Sequence, residues 1–468
     1  MDNRKNSRRD FIVKTGLAGS AITLGMNGVN ALNGKSVGAN DKVRMGFIGI
    51  GNRGSQLLTL FMTQPDCEVV ALCDVYEPYL MRDPSKVDKR YSEGFLGKGG
   101  QVPKMEEGLS KEVKRYSDYC KLLEDKNIDA VCIATPDHWH ALITIQAMQA
   151  GKDVYVEKPL TQTIFEGRKM VEAQTKTKRV CAVGLNRRGS AVFQKLAKEI
   201  QAGKIGKVTV GKASHVNDMF PDGIGNLKPE NPPKDFNWDF WLGPRAFIPY
   251  QYNIAPYTFR WWKDYSSQMG NWGVHYMDAI RWMMGETAPV AITAHGGKFV
   301  LHDDSTIPDT LEVVFEFASG AIITFTDSEV SSAKTVPFGE LELRGTKGTL
   351  YADEYSYQYV PARKGQFQSW TKQMEAEEYT SPAKMLADGS SSTSTTALIR
   401  NFLDCIKSRN APLCPLEEGH RSTSFAHLAN IALATRDRLQ WDAVNERFTN
   451  SEAANKMLHY EYRKPWKL

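Results

Sequence analysis

Lys158 stands in Val154-Tyr155-Val156-Glu157-Lys158-Pro159, at the end of a short apolar run that reads as a strand. Proline at 159 biases the residue before it toward extended backbone. A lysine at the carboxyl edge of a parallel sheet stands where doubly wound folds bind ligands. Beside a redox cofactor such an amine can move a proton while the cofactor moves a hydride. A second group with the same capacity is His275, in Gly273-Val274-His275-Tyr276-Met277-Asp278. Imidazole works as acid or base near neutral pH. Helical spacing over Ser266 to Met284 turns Asn271 and His275 to one face. It also places Asp278 where it could orient the imidazole. A packed core histidine is the bland alternative.

The elements that must hold these groups begin at Lys42–Gly49, an apolar run typical of a buried parallel strand. Gly49-Ile50-Gly51-Asn52-Arg53-Gly54 completes G-x-G-x-x-G and passes into a helix with apolar Leu57, Leu58, Leu60, Phe61 and Met62. Gly49 serves the tight turn, Gly51 the approach to a pyrophosphate, and Gly54 close helix–strand packing. The next strand, Cys67–Cys73, ends in Asp74, twenty residues after Gly54. A carboxylate there accepts from a ribose diol and repels a 2′-phosphate, so NAD is expected over NADP. Ile128–Pro136 reads as a later strand that delivers Thr135, Pro136 and His140 to the nicotinamide end. Cofactor contacts are therefore expected from Gly49, Gly51, Asn52, Arg53, Gly54, Asp74, Thr135, Pro136, His140, Glu157 and Lys158.

Substrate walls are sought among residues that reach the same edge. Asn186-Arg187-Arg188 follows the strand Val180–Leu185, and two aromatic-dense stretches run over 237–244 and 259–265. Rings cover sugar C–H faces while Asp and Arg bind hydroxyls. Arg187, Trp238, Asp264 and Asp278 are the substrate candidates. Residues 310–350 alternate apolar and polar with glycine punctuation, an antiparallel meander. The stretch from about Arg82 to Arg115 reads as a solvated excursion. The last residues read as a tail docking on a neighbouring surface.

Composition bounds the rest. At 468 residues, 41% hydrophobic and 24% charged, the chain fits a two-domain globular protein. Of the net charge of +5, the first thirty-one residues supply +3. What remains is no footprint for nucleic acid or an anionic membrane. Seven cysteines show neither a disulfide framework nor metal spacing, and no metal is expected. Ser7-Arg8-Arg9-Asp10-Phe11-Ile12-Val13-Lys14 before a weakly apolar, glycine-broken stretch matches a twin-arginine export signal, too weak for a membrane span. Export of a folded protein implies that the cofactor travels bound, stays tightly bound and is regenerated in place. Without a functional signal the protein stays in the cytoplasm.

Taken together, Gly49-x-Gly51-x-x-Gly54, Asp74, Thr135-Pro136-Asp137-x-x-His140, Glu157-Lys158-Pro159 and the segment Gly273–Asp278 resemble the glucose–fructose oxidoreductase / inositol dehydrogenase / rhizopine catabolism family, Gfo/Idh/MocA. The resemblance runs from residue 41 onward. It implies an α/β architecture: a Rossmann domain over 41–165, then a substrate-binding and oligomerisation domain over 166–445 with a large, open, mostly antiparallel sheet. A leader (1–33) and a tail (446–468) flank them. It further implies NAD(P)-dependent oxidation or reduction of a sugar, glycoside or cyclitol, a homo-oligomer, and a catalytic role for Lys158. Where the family often has Asp-x-x-x-His, this chain has Asn271 and His275, and Asn cannot ionise. His275 moving the hydroxyl proton, with Lys158 donating to the alkoxide or serving as base, is the expected chemistry. Two alternatives stand beside it: redox-neutral glycoside cleavage through transient oxidation and elimination, and a non-catalytic binding protein on the same scaffold.

Overall fold

The computed structural model describes residues 42–92, 102–105, 108–382 and 392–468. The predicted leader lies outside them.

Two sheets carry the structure. The first has six parallel strands: β1 (Val43–Ile48), β2 (Cys67–Cys73), β3 (Lys114–Tyr116), β4 (Ala130–Ile133), β5 (Asp153–Val156) and β6 (Cys181–Val183). Their order is β3-β2-β1-β4-β5-β6. The order reverses direction between β1 and β4, and ligands of doubly wound sheets bind at such a switch point. Strands β1, β4 and β5 are buried along nearly their whole length, as helices on both faces require.

Helix α1 (Asn52–Met62) follows β1 and buries Leu57, Leu58 and Phe61. Phe61 meets Phe47, Tyr155 and Phe402 edge-on, at centroid distances of 5.5, 5.7 and 6.4 Å. Phe402 comes from the late helix Ser392–Ser408, so distant sequence closes this face. Helix α2 (Asp137–Gln149) follows β4, and α3 (Ile164–Thr177) follows β5. A capping box between Thr163 and Glu166 starts α3 just beyond the Glu157-Lys158-Pro159 turn.

The second sheet has ten strands: β7 (Val208–Val216), β8 (Ala291–Gly297), β9 (Thr310–Glu316), β10 (Ile322–Ser328), β11 (Leu341–Gly345), β12 (Gly348–Ala352), β13 (Ser356–Pro361), β14 (Glu377–Thr380), β15 (Leu439–Asp442) and β16 (Arg447–Phe448). Their order is β14-β13-β12-β11-β7-β10-β9-β8-β15-β16. The expected meander is interrupted. β7 lies between β10 and β11, parallel to β10 and antiparallel to β11. Local alternation gives the strands but not this insertion, because β7 arrives from a hundred residues upstream.

The inner face of this sheet buries Ile323, Phe325, Leu341 and Leu343 against α4 (Val274–Met284). Gly211 on β7 makes room for Ile280: a Cβ there would stand 2.8 Å from its methyl carbon. The excursion after Arg82 is less solvated than expected, since Val87, Tyr91, Met105 and Val113 join the core. The tail packs on its own chain. Trp466 sits edge-on to Trp139 at 4.8 Å, and the Tyr462 hydroxyl donates to Glu166 at 2.5 Å. No helix among the described residues is long and apolar enough to cross a membrane.

Candidate active site

Every strand of the first sheet from β1 to β6, except β3, ends at one cavity of about 950 Å³. β1 delivers the glycine turn. Gly49 has φ of +79°, and a Cβ there would meet the Thr135 amide nitrogen at 2.7 Å. A Cβ on Gly54 would stand 2.0 Å from the Gly49 carbonyl oxygen, so only glycine lets α1 start this close to the strand. Around Gly51 the nearest heavy atom to such a Cβ is 3.9 Å away, which leaves its backbone open to a ligand at the start of α1.

β2 delivers Asp74. Its carboxylate accepts from the Ile50 and Tyr76 N–H groups at 2.8 and 2.9 Å. It thereby ties its own strand end to the glycine turn. A carboxylate has about four acceptor positions, so accepting capacity remains for a diol. Burial pushes this carboxyl upward, opposed by the backbone N–H groups of Tyr76, Ile50 and Val75.

β5 delivers Glu157 and Lys158, with a cis peptide between Lys158 and Pro159. Glu157 is buried and accepts from the Arg53 guanidinium at 3.0 Å. Gly184 leaves the space it fills, since a Cβ there would lie 2.7 Å from the Glu157 carboxylate. Lys158 Nζ donates to the Asn271 backbone carbonyl at 2.6 Å and to Asn271 Oδ1 at 3.1 Å. Burial pushes the Lys158 amine down to about 8, with Arg260 pushing the same way and Glu157 opposing.

The expected continuous helix over Ser266–Met284 is a π-helical turn, Met269–Gly273, followed by α4. Gly270 and Gly273 within it flank Asn271 and Trp272, and the Lys158 amine donates to the Asn271 carbonyl. Such wide turns recur at functional sites. Asn271 and His275 both line the cavity, as do Lys158 and Arg187. The His275 imidazole is held far below its ordinary value, first by burial, then by the cations Arg187, Lys158 and Arg53. Its Nδ1 has no hydrogen-bond partner among the described residues.

Several expected residues stand elsewhere. Asp278 does not orient His275. It is fully buried and takes Arg188 in a two-pronged pair (2.8–3.0 Å) together with the Ser422 hydroxyl at 2.6 Å. Trp238 is core, stacked on Trp241 at 4.8 Å and donating to the Ile248 carbonyl. Asp264 is exposed and pairs with Arg245 at 2.7 Å. His140 does not line the cavity. Its ring nitrogens lie 2.7 Å from the Pro159 carbonyl and 2.9 Å from that of Thr135. Spacing nominated Asp278 and His140, and aromatic density nominated Trp238 and Asp264; neither signal reveals the partners these side chains find. Arg187 does line the cavity, but a bidentate pair with Glu340 at 2.6 and 2.7 Å already holds it.

Other cavity groups had no signal strong enough to single them out. Glu354, from the turn before β13, is pushed up to about 7 by burial, with Arg187 opposing. His215, Asn217, Tyr257 and Trp272 also face the cavity. The expectation of no metal rested on cysteine spacing. It missed a cluster of His215, Asp327 and Glu329, whose ligand atoms all lie within 4.8 Å of one another.

The cavity suits a nicotinamide dinucleotide and a polyhydroxylated partner. Five buried polar atoms on its wall have no partner among the described residues: Thr135 Oγ1, Asn186 Oδ1, Trp261 Nε1, His275 Nδ1 and Glu354 Oε1. Orphaned buried polar atoms are costly, at about 1–3 kcal/mol each, unless a ligand or water satisfies them.

Comparison with known proteins identifies the family and the fold. Residues 190–468 match the oxidoreductase family C-terminal alpha/beta domain, and residues 101–185 match the oxidoreductase family NAD-binding Rossmann fold. A myo-inositol 2-dehydrogenase of Thermotoga maritima is 25% identical over 316 residues, covering 66% of this chain and 75% of that protein. A glycosyl hydrolase family 109 protein of Saccharopolyspora erythraea is 29% identical over 190 residues, 40% of this chain and 38% of its own length. A second, from Shewanella pealeana, is 29% identical over 228 residues, or 46% and 47%. The chain thus spans less than half the length of these two hydrolase-named relatives. Among solved structures, a levoglucosan dehydrogenase in complex with NADH and levoglucosan superposes with a TM-score of 0.62 at 18% identity, covering 85% of this chain and 99% of that one. An aldose-aldose oxidoreductase from Caulobacter crescentus gives 0.57 at 17% identity, over 85% and 99%.

Proposed function

Since the chain belongs to the Gfo/Idh/MocA oxidoreductase family, we propose that it transfers a hydride between a nicotinamide cofactor, NAD rather than NADP, and a hydroxyl-bearing carbon of a sugar, glycoside or related polyol. The observation that carries this reading is the meeting of Lys158, Asn271 and His275 on one cavity at the sheet's switch point, beside the glycine turn and Asp74. The bound cofactor supplies the hydride acceptor. The glycine turn and the start of α1 hold its pyrophosphate, and the free acceptor positions of Asp74 hold its ribose diol. That carboxylate is why NAD is favoured.

Lys158 is the proton acceptor. Its amine, held at about 8, is partly neutral near physiological pH and therefore suited to take a hydroxyl proton. Asn271 aims it through two hydrogen bonds. His275, kept neutral by its surroundings, donates or accepts a hydrogen bond at the same oxygen without carrying charge. As the hydride leaves carbon, the oxygen becomes a carbonyl and the proton rests on Lys158. Arg187, fixed by Glu340, and the aromatic groups Trp261 and Tyr257 hold the ring.

The test is a screen of monosaccharides and glycosides with the purified full chain, read by mass spectrometry for loss of two hydrogens. On the responding sugar, Lys158→Ala should slow turnover by about 10²–10⁴-fold while nucleotide binding persists. Near-normal turnover would remove the assignment.

One observation favours a second reading. Glu354, held at about 7 with an unpartnered oxygen on the cavity wall, is a carboxyl able to give and take a proton at neutral pH. Redox-neutral glycoside cleavage needs such a group. Oxidation of a ring hydroxyl acidifies the neighbouring C–H, a base removes that proton, the glycosidic oxygen leaves protonated, water adds, and the hydride returns. Released aglycone with no lasting gain of reduced cofactor identifies this course.

A further inference from the structure

The ten-stranded sheet brings a second set of chemical groups to the cavity. His215 on β7 and Asp327 on β10 are direct partners in the parallel pairing of those strands. Glu329 follows Asp327 by two residues, so its side chain returns to the same face. Inward positions of β10 read Ile323, Phe325, Asp327, all at 0% exposure. A carboxylate thus occupies the place where two hydrophobic residues lead one to expect a third. Neither of its oxygens has a hydrogen-bond partner among the described residues.

Its neighbour does not relieve the charge. Glu329 is buried as well, and it adds a second carboxylate beside the first. The groups around Glu329 orient it: Asn217 Nδ2 donates at 3.2 Å, and Gln268 Nε2 donates to the other oxygen. His215 stacks on Trp272 at 4.6 Å, nearly parallel, which fixes its ring plane. Its Nε2 stands 3.9 Å from Glu329 Oε1. An unpartnered buried carboxylate, a second carboxylate and an aimed imidazole converge with no cation bonded to Asp327. Ligands steered by neighbouring side chains are what metal sites display.

We propose that His215, Asp327 and Glu329 bind one divalent transition-metal ion, of the manganese or zinc class, at the edge of the cavity. One imidazole and two carboxylates are a donor set suited to these ions, and three protein ligands leave positions open. With metal–ligand lengths of about 2.0–2.2 Å, tetrahedral ligand atoms lie about 3.4 Å apart, so the side chains close by about an ångström on the ion. His215 and Asn217 line the cavity that Lys158 and His275 share, so the open positions face oxygen donors of whatever occupies it. The ligand class implied for that space is a hydroxyl or keto oxygen of a polyol. That last point rests on the oxidoreductase reading; the ion site itself does not.

The experiment uses manganese(II) alone with the full chain, freed of metal by chelator. Loss of the free manganese signal in electron paramagnetic resonance should report one ion per chain. Asp327→Asn, nearly isosteric, should weaken binding at least about tenfold, as losses of this order follow even from disturbing the supporting groups of a metal site. His215→Asn, a change at the more accessible ligand, should do the same and serves if Asp327→Asn does not fold. Zinc(II) should displace the manganese. No manganese binding by the parent chain overturns the proposal, as does undiminished binding in both variants. A parent that binds no manganese but is stabilised by Asp327→Asn identifies a carboxyl pair sharing a proton, and also overturns it. Nucleotide binding measured on the same samples keeps this outcome separate from failure of the redox reading.

Discussion

Replacing Asn271 by aspartate separates the two groups that could take the hydroxyl proton. Asn271 Oδ1 lies 3.1 Å from Lys158 Nζ, so Asn271→Asp puts a carboxylate against the amine with almost no change of shape. Two unit charges about 4 Å apart interact by about 4 kcal/mol at an effective dielectric of about 20, before the new carboxylate's own loss of hydration. An opposite charge at this range raises an amine by about 1–3 units. Taking about two, Lys158 moves from about 8 to about 10. Its neutral fraction at about pH 7 then falls from about a tenth to about a thousandth, so turnover should drop about a hundredfold and be regained only as pH rises toward about 10. The sign is fixed by the role: a base must be neutral to accept, so raising its pKa moves the acid limb of the profile upward. The assay is kcat against pH in single turnovers with stoichiometric cofactor on the responding sugar. The rival outcome is equally definite. A carboxylate four residues before His275 would raise the basicity of that imidazole. A gain in rate at neutral pH, or an unmoved acid limb, refutes Lys158 as the base.

Three further outcomes follow from the geometry. Gly54→Ala, whose Cβ would fall 2.0 Å from the Gly49 carbonyl oxygen, should abolish nucleotide binding by calorimetry and lower the melting temperature. Asp74→Ala should weaken NAD binding and narrow the preference for NAD over NADP, and it leaves the Ile50 and Tyr76 N–H groups without their acceptor, destabilising the fold by about 1–3 kcal/mol in urea titration. Arg188→Met removes the two-pronged partner of the buried Asp278 carboxylate, leaving it the Ser422 hydroxyl and Arg281 at 3.9 Å, and should cost at most about 3–5 kcal/mol by the same measurement while nucleotide affinity is kept, because neither residue reaches the cavity.

The first half of the site was legible because its signals are local. A tight turn, a buried strand and an acidic strand end each leave a mark within a few residues, and the parallel sheet then has few ways to arrange them. Lys158 was found for the same reason: its strand end is marked by apolar residues before it and proline after. The second half depends on pairings across long separations. Asp278, three residues after His275, was a plausible orienter until Arg188 and Ser422, from ninety residues before and over a hundred after, claimed it. Trp238 carries the composition of a sugar platform but the burial of a core ring. The insertion of β7 between β10 and β11 is invisible to alternation, and with it the approach of His215 to Asp327. The sequence did hold one overlooked sign there: an acidic residue at an inward position of an otherwise apolar strand face.

His140, which does not itself line the cavity, stands behind two residues that do. Its ring stands between the carbonyls of Pro159 and Thr135, 2.7 and 2.9 Å from its two nitrogens, on the loops that leave adjacent strands. One loop bears Thr135 and Pro136 on the cavity wall; the other bears Lys158. One buried ring wedges between them. Lys158 is thus braced against the Thr135 loop by a buried ring as well as by its own strand end.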